Sequence, residues 1–112
     1  MSAARRSPRA GIEAPIFSGL GDPTRLKLVS RLAEGGPQSI RRLTEGSGVT
    51  RQAITKHLLV LDQAGLVRGA RRGRERVWTL EPRPLDVARR YLDLVSSRWD
   101  DALERLRRLV ED

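Results

Sequence analysis

From Leu85 onward the apolar residues fall at 85, 88, 92, 95, 99, 102, 106 and 109, in steps of 3, 4, 3, 4, 3, 4 and 3. Leu85, Ala88, Leu92, Val95, Trp99, Ala102, Leu106 and Leu109 fill this repeat, which runs for more than three heptads. A helix that only covers its own small domain carries a broader stripe, whereas a narrow, regular seam pairs with another helix. In a chain of 112 residues the natural partner is a second copy. The segment 84–112 is therefore expected to be a C-terminal dimerisation helix. The alternative is a helix folded back on its own domain, for which Tyr91, Leu103 and Val110, just off the seam, leave room. Asp86–Arg90, Arg89–Asp93, Asp101–Arg105 and Glu104–Arg108 place opposite charges four apart, surface support worth about 0.2–0.5 kcal/mol each.

Upstream, local stop and start signals cut the chain into short lengths. Residues 1–11 are basic and lack apolar periodicity, which reads as a disordered arm. Ile12, Ile16, Phe17 and Leu20 suit a short helix starting near Pro15 and stopping at Gly21. Asp22-Pro23 is a helix start: Asp caps free N–H groups, and Pro fits the first position, where its missing donor is not needed. Leu26, Val29, Leu32 and Ala33 are expected to face inward, and Gly35-Gly36-Pro37 ends this helix. A second helix begins close to Ser39, buries Ile40 and Leu43, and stops at Gly46-Ser47-Gly48. Thr50 then opens a third, with Ile54, Leu58 and Leu61 as its buried stripe and Gly65 as its end. Two helices joined by a tight Gly-containing turn over 39–64 form a helix-turn-helix.

The stretch LVRGARRGRERVWTL, residues 66–80, reads as two strands, Leu66–Ala70 and Glu75–Leu80, joined by a turn at Arg71-Arg72-Gly73-Arg74. Trp78 and Leu80 share one face by the two-residue period. An Arg-tipped hairpin directly after a helix-turn-helix is a wing. A merely solvated tip does not explain six Arg between 68 and 83. Pro82 and Pro84 are expected to break the chain before the last helix. The fold class is thus mostly α with a small β-hairpin: a winged helix-turn-helix over 12–83 followed by the long helix 84–112.

Charge placement narrows the partner. Residues 1–83 hold 16 of the 22 Lys and Arg and 7 of the 14 acids, a balance of +9; residues 84–112 hold 6 and 7, a balance of −1. A basic body with a near-neutral tail suits a polyanion. Twenty of the 22 basic residues are Arg, so a compositional bias competes with that reading. The absence of cysteine excludes disulfides and thiolate metal sites and fits a cytoplasmic protein. No apolar stretch approaches the roughly 20 residues of a membrane span. No apolar signal core follows the basic N-terminus, so nothing suggests export.

Three stretches, GLGDPTRLKLVSRL (19–32), GVTRQAITKHLLVLDQAGLV (48–67) and GRERVWTL (73–80), resemble the ArsR family of winged-helix transcriptional regulators in order and spacing. The resemblance implies a dimeric winged helix whose terminal helices form the dimer contact, which would add Phe17 to the seam residues. It also implies repression by occupying promoter DNA. Many members sense metals through Cys thiolates or through His and carboxylate groups near the last helix. Here there is no Cys and a single His, His57. A tight transition-metal site needs three or four such ligands, so metal sensing does not carry over. Asp86, Asp93, Asp100, Asp101 and Glu104 read as a solvated face, and no cofactor is expected.

A recognition helix enters the major groove with its N-terminal residues against base edges. Here those are Arg51, Gln52, Thr55 and Lys56; Arg and Lys suit guanine, and Gln suits adenine. Arg51 and Gln52 are expected to read bases and Lys56 to touch phosphate. Thr55 suits either task, and Thr50 suits either or only caps the helix. His57 is either a phosphate contact or a half-buried group bonded within the protein. Arg71, Arg72 and Arg74 would follow the backbone or enter the minor groove. Ser39, Arg41 and Arg42, near a helix start, would anchor phosphate. Two such faces about a dimer axis predict an inverted-repeat operator with half-sites about one helical turn apart, roughly 10 bp or a multiple. The competing readings are a winged-helix protein-interaction module, towards which Leu59 within the polar row points, and a nucleoid or RNA binder without sequence preference. No enzyme motif is present: the chain has no phosphate-binding G-x-x-x-x-G-K, no G-x-S-x-G and no nucleophile–base pair. Tyr91 and Trp99 near the seam read as core rather than as an effector pocket, and no residue pattern names an inducer.

Overall fold

In the computed structural model, which describes residues 8–111, the chain signals set most element boundaries. The order is α1 (Pro8–Leu20), α2 (Pro23–Gly35), β1 (Gln38–Ser39), α3 (Ile40–Thr44), α4 (Arg51–Gln63), β2 (Val67–Arg72), β3 (Glu75–Leu80) and α5 (Pro82–Glu111). Asp22 accepts from the N–H groups of Thr24 and Arg25 and starts α2. Ser39 Oγ accepts from Arg42 N and starts α3; Thr50 Oγ1 accepts from Ala53 N and starts α4. In the α3–α4 turn, Gly46 and Gly48 take φ of +71° and +77°, a region open to glycine without strain.

One apolar core binds these elements. Leu28, Val29 and Leu32 of α2 meet Leu43 of α3, the Ile54–Leu58–Leu61 stripe of α4, Leu66, Val67 and Trp78 of the wing, and Ile16 of α1. Within the expected α2 stripe, Val29 and Leu32 are buried, but Leu26 and Ala33 are exposed and Leu28 takes the inward place. The helix is rotated so that its 28–29–32 edge faces α4 and the sheet.

Several expectations are corrected. The disordered arm was expected to reach residue 11, but α1 begins at Pro8; residues 1–7 lie outside the described part. Pro15 sits inside α1 rather than at its start. An interior proline costs about 3 kcal/mol through its missing N–H and a clash with the preceding turn. Burial of Ile16 and Gly19, with Phe17 and Leu20 against the core, outweighs that cost. The hairpin is a three-stranded antiparallel sheet in the order β1-β3-β2, because Gln38 and Ser39 pair with Trp78 and Val77. Arg71 and Arg72 are strand residues opposite Arg76 and Glu75, so the wing turn is only Gly73-Arg74. Gly73, at φ +62°, occupies the first central position of this two-residue turn. Pro82 and Pro84 do not break the chain; they lie in the first turn of α5, where backbone N–H groups have no intrahelical partner.

The thirty residues of α5 span about 45 Å. Only its first part packs on its own domain. Ala88 is in the core, Leu85 and Val87 lie against it, and Tyr91 meets Phe17 of α1 with ring centroids 5.8 Å apart. Three of the residues expected at the dimer contact are thus used within the chain: Leu85, Ala88 and Phe17. Further along, Leu92, Trp99, Leu106 and Leu109 are 53, 62, 57 and 76% exposed, and Leu103 and Val110 widen this open stripe. Val95 and Ala102 are half-buried. The radius of gyration is 18.6 Å, against about 13 Å for a compact chain of this length.

Candidate nucleic-acid interface

The buried stripe of α4 determines what the other side of that helix presents. With Ile54, Leu58 and Leu61 fully buried, Arg51, Gln52 and Lys56 are left exposed and Thr55 half-exposed on the opposite side. Thr50, just ahead of the helix, is also exposed, but its hydroxyl oxygen accepts the Ala53 N–H at 3.1 Å. The cap uses the Thr50 hydroxyl as an acceptor and leaves its O–H free to donate. Thr55 Oγ1 donates to Arg51 O at 2.9 Å, which leaves its lone pairs free to accept.

His57 belongs to a network inside the protein. Its Nδ1 lies 3.3 Å from an Arg25 guanidinium nitrogen and 3.8 Å from Asp22 Oδ2. Arg25 also donates from Nε to Gly19 O at 2.7 Å and from its other terminal nitrogen to Ser18 O at 3.3 Å. One side chain therefore satisfies carbonyls at the end of α1 and braces the recognition helix. The N–H of Arg25 bonded to the Asp22 carboxyl, helped by the neighbouring His57 ring, the N–H of Thr24 and the Arg25 charge, outweighs desolvation and holds this carboxyl below the usual range. The half-buried His57 thus has partners within the protein.

Arg31 ties α2 to the end of α3, a role nothing local in the sequence marks. From α2 it donates to Arg42 O at 2.8 Å, Leu43 O at 2.8 Å and Glu45 O at 2.9 Å. These are carbonyls at the end of α3, which lack partners within so short a helix. Gln38, buried, ties the same region by donating to Arg31 O at 2.7 Å. Arg31 looks like any solvated cation on a helix in the sequence; only the fold brings three carbonyls to its fork.

Ser39 Oγ accepts from Arg42 N as the cap of the five-residue α3, which leaves its O–H free to donate. Arg41 and Arg42 keep exposed side chains. On the wing, Arg71, Arg72 and Arg74 are all exposed. Arg71 faces Arg76 directly across the strands, a like-charge pair that costs stability without an anion nearby. Arg76 lies 5.2 Å over the Trp78 ring.

Five of the seven ion pairs among the described residues lie on α5, while Arg68 of β2 pairs with Glu81 and His57 lies near Asp22. On α5, Asp86 pairs with Arg89 and Arg90, and Glu104 with Arg107 and Arg108. Of the four expected i,i+4 pairs, Asp86–Arg90 and Glu104–Arg108 form, Arg89 turns to Asp86 instead of Asp93, and Asp101–Arg105 is not formed. Among the described residues Arg41, Arg42, Arg51, Lys56, Arg71, Arg72 and Arg74 take part in none of the ion pairs. No helix among the described residues is long and apolar enough to cross a membrane.

A helix-turn-helix domain family model matches residues 20–70. The uncharacterized HTH-type transcriptional regulator YuzN of Bacillus subtilis is 40% identical over 81 residues, covering 67% of this chain and 88% of YuzN. The solved ArsR-like transcriptional regulator from Rhodococcus sp. RHA1 superposes with a TM-score of 0.75 at 31% identity, over 88% of this chain and 92% of that one. The homodimeric winged helix-turn-helix DNA-binding domain Mb0332 of Mycobacterium bovis, a possible ArsR-family regulator, gives a TM-score of 0.63 at 25% identity, over 89% and 93% of the two chains. The recognition helix, the Arg-tipped wing and these likenesses agree: the chain belongs to the ArsR family of winged helix-turn-helix transcriptional regulators, which bind DNA.

Proposed function

We propose that the chain is a homodimeric repressor that occupies an inverted-repeat operator in promoter DNA. Its DNA-binding body runs from α1 through β3, and the outer part of α5 joins two copies. Arg51 and Gln52 of α4 read base edges, Thr55 contacts base or phosphate, Lys56 contacts phosphate, and Arg71, Arg72 and Arg74 follow the backbone or enter the minor groove. Arg41 and Arg42 contact phosphate from α3. The observation that carries this reading is the division of ion pairs. Arg51 and Lys56 on the recognition helix and Arg71, Arg72 and Arg74 toward the wing tip have no acidic partner among the described residues, whereas Arg68 at the base of the wing pairs with Glu81 and Arg89, Arg90, Arg107 and Arg108 on α5 pair with Asp86 and Glu104. An unpaired row of cations is what a polyphosphate needs, because each contact releases counterions from the DNA.

The open stripe of Leu92, Trp99, Leu106 and Leu109 supports pairing through α5, as does the homodimeric M. bovis relative. Repression follows from occupancy, since a dimer clasping promoter DNA excludes other proteins from it. The test is binding to the gene's own upstream DNA, against unrelated DNA of equal length, at two salt concentrations. Selective binding that weakens with salt is expected. Equal binding to both DNAs would point to a nucleoid protein, and binding to neither would point to a protein-interaction module.

A further inference from the structure

The side of α4 turned away from the core exposes two large apolar side chains, Leu59 and Val60, of which Leu59 is the more exposed. Gln52, Thr55, Lys56 and Leu59 follow the i, i+3, i+4, i+7 spacing and form one stripe along α4. Leu59 is 49% exposed and lies away from the Ile54–Leu58–Leu61 stripe that enters the core. A single exposed leucine is ordinary on a protein surface. Leu59 differs in continuing a row of hydrogen-bonding side chains whose one cation, Lys56, has no ion pair among the described residues.

The major groove displays donors, acceptors and a single apolar group, the C5-methyl of thymine. A leucine pressed into the groove elsewhere would strip water from base edges without replacing their hydrogen bonds. Against a thymine methyl it loses nothing polar. We propose that Leu59 is a specificity-determining residue that selects a thymine in each half-site through its methyl group. This inference rests on the DNA reading above. Seven residues of helix separate Gln52 from Leu59, a rise of about 10.5 Å. With base pairs about 3.4 Å apart, the selected thymine lies about three base pairs from the base that Gln52 reads, when the helix follows the groove. Gln suits adenine, so an adenine and a thymine at that separation are expected in each half-site.

The test uses the footprinted operator with each thymine replaced in turn by deoxyuridine, which lacks only the methyl. Binding of the full chain is read by fluorescence anisotropy. One methyl buried against a leucine corresponds to about a fourfold change in Kd. The wild type should lose about that factor at one position per half-site, about three base pairs from the Gln52 position. Leu59→Ala, at an exposed site outside the core, should keep the fold, checked by circular dichroism, and bind the thymine and uracil operators equally. Insensitivity of the wild type to every replacement overturns the proposal. So does a Leu59→Ala protein that still discriminates, because another group then reads the methyl. Failure of the wild type to prefer its operator over scrambled DNA overturns the DNA reading itself and is seen before any base is replaced.

Discussion

Trp99 is the most informative single residue on the proposed dimer seam, because its own chain barely uses it. It is 62% exposed, so replacing it by alanine removes little from the monomer's core. An aromatic side chain buries about 150–250 Å², and at about 25 cal/mol per Å² the exposed part of Trp99 represents about 3 kcal/mol. If pairing covers half of it, each copy contributes about 1.5 kcal/mol and the two copies about 3 kcal/mol. Trp99→Ala should then raise the dimer dissociation constant about 150-fold. Sedimentation equilibrium across a concentration series reads this directly, with far-UV circular dichroism confirming that the helices persist. Operator affinity at low protein concentration should fall in parallel, since one half-site alone supplies half the contacts. An unchanged dissociation constant for Trp99→Ala, or a wild type that stays monomeric at micromolar concentration, refutes pairing through this stripe.

Other perturbations address the brace, the cap and the wing. Arg31→Ala leaves three carbonyls at the end of α3 without their shared donor and should cost about 2 kcal/mol in urea unfolding; Arg31→Lys, without the planar fork, should recover only part of it. The lowered folded-state pKa of Asp22 means that its stabilising effect is complete above the ordinary value of 3.8 and fades as pH falls below that through the folded-state value. Asn at this position can still cap but does not titrate. The urea midpoint of wild type minus Asp22→Asn should therefore be constant near neutral pH and shrink on acidification; a difference that grows instead would contradict the assignment. Joint replacement of Arg71, Arg72 and Arg74 by alanine should lower the slope of log affinity against log salt by about 2.7 if each touches one phosphate, with thermal stability unchanged or raised. A slope reduced by less than one unit would remove the wing from the interface.

Much of this fold is written locally. Asp22, Ser39 and Thr50 cap helices wherever they stand, because each offers an oxygen to N–H groups two or three residues ahead. The Ile54–Leu58–Leu61 stripe is legible for the same reason: a helix of period 3.6 has one way to bury those three residues. That stripe leaves Arg51, Gln52 and Lys56 outward, so the exposed face of the recognition helix followed from spacing alone. The family resemblance carried by residues 19–32, 48–67 and 73–80 rests on the same local features.

What the sequence left open depends on residues distant in the chain. Gln38 and Ser39 are too short a pair to show a period, and they become a strand only because β3 lies alongside. Pro15 stays within a helix because the core behind Ile16 outweighs a local penalty. Arg25 and Arg31 are two of twenty arginines in sequence, and nothing local distinguishes them from the cations of the wing. Tertiary contact gives the first the end of α1 and His57, and the second the end of α3. The heptad seam reads as one uniform feature from Leu85 to Leu109, yet the body of the domain claims Leu85 and Ala88 and leaves Trp99, Leu106 and Leu109 open. Periodicity fixes which face of a helix is apolar; only the packed structure decides which length of that face is already covered.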